Sequence, residues 1–120
     1  MKIARYLHTA ILVSDVAAAE NFYGDILGLE KVDRSLKYPG VWYQIGEFQL
    51  HLIEDKNLKS ELQNTTKWGR NPHFALGVDD LQAIQERIKK HNLSLQMSSS
   101  GRAAFFVQDP DGNVVEISQI

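Results

Sequence analysis

Apolar and polar positions alternate imperfectly from Ile3 to Val13, which predicts a strand with His8, Ala10 and Leu12 on one face and Ile11 and Val13 on the other. Ser14 or Asp15 can cap a helix immediately after it. Ala17 to Tyr23, together with Ile26 and Leu27, supplies helix formers with an apolar stripe, and Gly28 is placed to end the helix. Leu29 to Leu36 reads as a strongly charged edge strand. Pro39-Gly40 then turns the chain into Val41 to Ile45, and Gly46-Glu47 turns it again into Phe48 to Ile53. In that last strand Gln49, His51 and Ile53 share a face opposite Leu50 and Leu52. The first half reads βαβββ.

Glu54 to Asn71 is polar and, at 18 residues, longer than most connections, so it is expected to be a crossing arm or the mouth of a site, anchored by Trp68 between Lys67 and Arg70. After Pro72 the plan repeats. A strand is expected over 73–78, then a helix from Asp80 to about Lys90 with Leu81, Ile84 and Ile88 on its stripe, then strands near 93–97, 102–108 and 113–119. Asp109-Pro110-Asp111-Gly112 is turn chemistry, because Pro presets φ and Gly accepts positive φ. The fold class is α+β, one domain over 1–120, with module one at about 1–55, a connector at about 56–71 and module two at about 72–120.

The two halves also repeat a chemistry. His8 and His73 stand 65 residues apart, as do His51 and Glu116, and within each half the two members are separated by 43 residues. A carboxylate such as Glu116, set among Val114, Val115 and Ile117, is costly to bury unless it is paired, hydrogen-bonded or metal-bound. Taken singly, each histidine reads as an ordinary strand residue; the repeat makes His8, His51, His73 and Glu116 a candidate ligand set. Three imidazoles and a carboxylate suit Zn, Ni, Fe(II), Co or Mn. His91 has no counterpart in the repeat and sits at a helix end, where a solvated cation is sufficient. Arg102 can bind an anionic substrate group, and Tyr43, Trp42, Phe105 and Phe106 are candidates for a pocket wall.

Composition narrows the classes. A net charge of −2 lacks the basic excess of a nucleic-acid binder, so no nucleic-acid partner is expected. With no cysteine, disulfides, thiolate nucleophiles and zinc-thiolate sites are excluded. No membrane-spanning run or secretory signal is evident, which makes the cytoplasm the expected location.

The order His8, Asp15, Asn21-Phe22-Tyr23, His51, Pro72 to Leu81, Phe106 to Asn113 and Glu116 resembles the glyoxalase and vicinal-oxygen-chelate superfamily over nearly the whole chain. The resemblance implies two βαβββ modules forming a curved, cup-like mixed sheet with helices outside, around a divalent metal ion, and commonly a homodimer. Open strand edges favour the same pairing. The family's ligand positions fall on His8, His51, His73 and Glu116, although glyoxalase I enzymes commonly carry Glu where this chain has His51. The function implied is a metal-dependent lyase or isomerase acting on a small molecule that chelates the metal through vicinal oxygens, with Glu116 or His51 moving a proton. Three alternatives belong to the same superfamily. One is an Fe(II) extradiol-type dioxygenase using His8, His73 and Glu116; another is a fosfomycin-type thiol transferase; the third is a resistance protein that binds its ligand without chemistry.

Overall fold

The computed structural model describes residues 1–59 and 61–120, and residue 60, inside the expected connector, lies outside the described residues. The chain divides into two compact units, Met1–Leu58 and Lys59–Ile120. Each is a βαβββ module.

In the first unit, β1 (His8–Val13) leads into α1 (Val16–Glu20), whose last turns widen into a π-helical stretch over Asn21–Ile26. Asp15 starts the helix by accepting hydrogen bonds from the amides of Ala17 at 2.9 Å and Ala18 at 3.4 Å. The widened turn closes with Leu27 N donating to the Phe22 carbonyl, and it sets Phe22, Tyr23 and Ile26 inward. Gly28, at φ 77°, ends it in the conformation that favours glycine. Then come β2 (Glu30–Lys31), β3 (Gly40–Ile45) and β4 (Phe48–Glu54), in the order β1-β4-β3-β2, with β1 parallel to β4 and the rest antiparallel.

Two expected strands are shorter than the pattern suggested. Residues 1–7 are exposed and outside the sheet, because β4 begins at Phe48, opposite the very start of β1, and earlier residues have no ladder to join. The strand expected from Leu29 to Leu36 keeps only Glu30–Lys31. Beyond it the charged segment at Asp33-Arg34 leaves the ladder.

The second unit repeats the plan with β5 (His73–Val78), α2 (Leu81–Lys90), β6 (Leu95–Met97), β7 (Ala104–Gln108) and β8 (Val114–Gln119), ordered β5-β8-β7-β6. Asp80 caps α2 by accepting from Ala83 N at 3.1 Å, and Arg87, Lys89 and Lys90 place positive charge at the helix's negative end. The Asp109 carboxylate accepts from the Asp111 and Asn113 amides and from Asn113 Nδ2, which locks the turn that launches β8.

In each unit one sheet face is apolar and carries the helix. Val13, Tyr43, Leu50 and Leu52 are buried with Ala19, Phe22 and Tyr23 in the first unit, and Phe105, Val107, Val115 and Ile117 with Leu81 and Ile88 in the second. Burial of one such aliphatic side chain contributes roughly 1.5–3 kcal/mol, so these faces fix which side of every strand is left for chemistry. The expected connector is tied to the second unit. Asn71, buried, accepts from Asn64 N and donates to the carbonyls of Asn64 and Trp68, while Gln96 accepts from Trp68 N and donates to the Thr66 carbonyl. Among the described residues, no helix is long and apolar enough to cross a membrane.

Candidate functional site

The duplication survives as register. In the parallel pairing of β1 and β4, Ala10 faces His51; in that of β5 and β8, Ala75 faces Glu116. Side chains two residues apart along a strand point the same way, so His8 becomes the diagonal neighbour of His51, and His73 that of Glu116, on the face opposite the helix. Both pairs touch. The His8 and His51 rings stack at 4.1 Å with an 18° interplanar angle, and His73 Nε2 lies 3.8 Å from Glu116 Oε1.

The histidine tautomers are set by their neighbours. His73 Nδ1 is 2.7 Å from the Asn71 carbonyl oxygen, which can only accept, so Nδ1–H donates to it and Nε2 is the nitrogen turned toward Glu116. For His51 the deduction runs along three amides. Gln44 Nε2 donates to the carbonyls of Gly46 and Phe48, which leaves Gln44 Oε1 to accept from Gln49 Nε2 at 2.8 Å. Gln49 Oε1 therefore accepts from His51 Nε2 at 2.9 Å, and the lone pair of His51 is on Nδ1.

A stack immobilises that ring. Trp42 lies on the other side of His51 at 3.6 Å and 5°, with the Arg34 guanidinium 4.1 Å above Trp42. Burial, followed by the nearness of His8 and Arg34, pushes the His51 pKa below its ordinary value, which keeps the imidazole neutral.

Glu116 is buried at 7 % exposure and fully partnered. Arg102 Nη2 donates to Oε1 at 3.1 Å and Nη1 approaches Oε2 at 3.5 Å, while Ser118 Oγ donates to Oε2 at 2.8 Å. The hydrogen bond from Arg102 outweighs burial and holds the carboxyl below the usual range, so it is ionised. Arg102 also lines a cavity of about 390 Å³ with Lys67, Arg70, Gln96, Ser100 and Phe106. Gly69 makes room there, since a Cβ at that position would stand 2.5 Å from the Phe106 ring.

The residues fit a divalent ion by donor chemistry. Ligands about 2.0–2.2 Å from a shared metal lie roughly 3–3.5 Å from each other, and the His73–Glu116 distance of 3.8 Å is close to that. Each unit holds one pair; among the described residues, no group of three or more His, Cys, Asp or Glu side chains is gathered for a metal.

Other expectations are redistributed. Tyr43, expected at the pocket wall, is 1 % exposed in the core of the first unit, where burial, Glu20 and Asp25 push its pKa up to about 12. Strand parity explains this, because Tyr43 faces Leu50 while its neighbour Trp42 faces His51. Phe105 is likewise core, and Phe106 is the aromatic at the cavity. Arg102, expected to hold a substrate anion, is engaged with Glu116. Asn71, Gln49, Arg34 and Ser118 were not expected to matter. Gln49 and Ser118 carried a signal, each standing two residues from a candidate ligand, His51 and Glu116, on the same strand face.

Residues 5–117 match the profile of the Glyoxalase/Bleomycin resistance protein/Dioxygenase superfamily, and the chain belongs to that superfamily. It is 32% identical over 130 residues to a protein of Synechocystis named "Probable lactoylglutathione lyase", covering 94% of this chain and 93% of the relative. Among solved structures it shares its fold with a glyoxalase/dioxygenase from Nostoc punctiforme (TM-score 0.79, 22% identity, 96% of this chain and 90% of the other). It also shares it with TnmS3, an antibiotic binding protein from a Streptomyces (TM-score 0.71, 22% identity, 99% and 98%).

Proposed function

We propose that this protein is a metal-dependent lyase or isomerase of glyoxalase type, acting on a small molecule with two vicinal oxygens. The supporting observation is the orientation of His73. Its Nδ1–H donates to a backbone carbonyl and its Nε2 faces an ionised Glu116, which is how a metal-ligating histidine is usually oriented. His8 and His51 are the equivalent pair in the other half, and one ion requires both pairs, from one chain or from two copies in a homodimer.

A divalent ion held by these four residues would supply Lewis acidity at the substrate's paired oxygens. The chain's own contribution is the proton transfer. Glu116, ionised and accepting from Ser118 Oγ, is the base that takes a proton from the carbon bearing one oxygen and returns it to the neighbouring carbon. The name carried by the Synechocystis relative points to the adduct of methylglyoxal and glutathione as the first substrate to try. The binding-only reading has no use for ligand-capable side chains at two equivalent pairs of positions.

Protein purified without chelator should contain a divalent metal, and activity on methylglyoxal with glutathione should vanish with EDTA and return on adding Ni, Co or Zn. Full turnover after exhaustive chelation would reject this function. Oxygen uptake with a catechol and Fe(II) would shift it to the dioxygenase alternative.

A further inference from the structure

Arg102 touches two things at once. Its Nη atoms engage Glu116, while its Nε donates to Ser100 Oγ at 3.1 Å on the wall of the 390 Å³ cavity. The Arg102 side chain is 57% exposed against 10% for that of Glu116, so the arginine faces solvent and the cavity while the carboxylate is enclosed. Lys67 and Arg70 line the same cavity, and among the described residues neither has a carboxylate partner. The cavity therefore holds uncompensated positive charge beside a carboxylate whose own compensation is borrowed from its wall.

We propose that Arg102 is a counter-ion shared between Glu116 and this cavity, so that an oxyanionic group bound among Lys67, Arg70 and Arg102 and a divalent cation bound at Glu116 favour each other. The proposal rests on the reading of Glu116 as a metal ligand. A cation arriving at Glu116 displaces the guanidinium and repels it; an oxyanion in the cavity gives it a new partner. By linkage each ligand strengthens the other by the same factor. The substrate class implied is one whose chelating oxygens are joined to an anionic arm.

Calorimetric titration of the full chain with Co(II), in potassium sulfate and in potassium chloride of equal ionic strength, tests this. The wild type should bind Co(II) at least about threefold more tightly in sulfate. Arg102→Ala should bind about fivefold more tightly than wild type in chloride, as expected for loss of a partly exposed competing ion pair, and should be insensitive to sulfate. Arg102→Gln, which retains a donor toward Ser100 without the charge, should behave alike and serves if the alanine variant is unfolded by circular dichroism. Unchanged or weaker Co(II) binding in both variants, or an equal sulfate effect in all three proteins, overturns the proposal while leaving the metal reading intact. Failure of every protein to bind Co(II) while folded overturns both.

Discussion

His73 Nδ1 stands 2.7 Å from the carbonyl oxygen of Asn71, two residues before it, and Asn71 is itself held by three hydrogen bonds from its side chain. The orientation of one candidate ligand thus depends on the end of the connector. Asn71→Ala removes those bonds at a buried position and takes the side-chain partner from the amide and the carbonyl of Asn64, a loss of about 1–3 kcal/mol. A lower urea midpoint with an unchanged m-value is expected, together with a shifted His73 imidazole resonance. An unaltered midpoint would show that the connector does not depend on this residue.

Glu116→Gln keeps the shape of the side chain and deletes its charge. Divalent metal content should fall by an order of magnitude or more, because the set loses its only anionic donor. The fold should tolerate the change, since the ion pair it removes is with a half-exposed arginine, and such pairs contribute about 1 kcal/mol or less. Metal analysis beside a thermal melt separates the two effects.

Acid should destabilise the protein in two stages. The folded-state pKa of His51 is lowered from 6.5, so below that pH the unfolded chain binds a proton that the folded chain refuses, and stability falls with pH. The folded-state pKa of Glu116 is lowered from 4.5; its contribution is complete above that value and is lost as pH drops through the folded one. The melting temperature should therefore begin to decline just below neutrality, and the decline between about pH 7 and 5.5 should be smaller in His51→Gln. An identical decline in that variant would remove His51 as its source.

Gly69→Ala forces a methyl group into the Phe106 ring, at 2.5 Å from its tip. Overpacking of this kind costs about 1–3 kcal/mol and moves neighbouring side chains. Lower stability is expected along with altered anion binding in the adjoining cavity. A double variant with Phe106→Leu should recover much of the stability in chemical denaturation.

Most of the fold was open to reading from the chain. Period-two alternation located β4 and β8 nearly to the residue, because a one-residue slip would turn Leu50 or Val115 from the core to the opposite face. The ends of β1 and β2 were not readable, since a strand stops where its partner stops, and the partner is decided by the sheet. The same division holds at the site. A spacing of 65 residues picked out His8 with His73 and His51 with Glu116, because a duplicated module preserves register and register preserves the facing of side chains. That Tyr43 is core while Trp42 stacks on His51, that Arg102 neutralises Glu116, and that Asn71 and Gln49 set the imidazole tautomers all required the folded chain. These are contacts across strands and turns, where fractions of an ångström decide which lone pair is left free, and no local pattern encodes them.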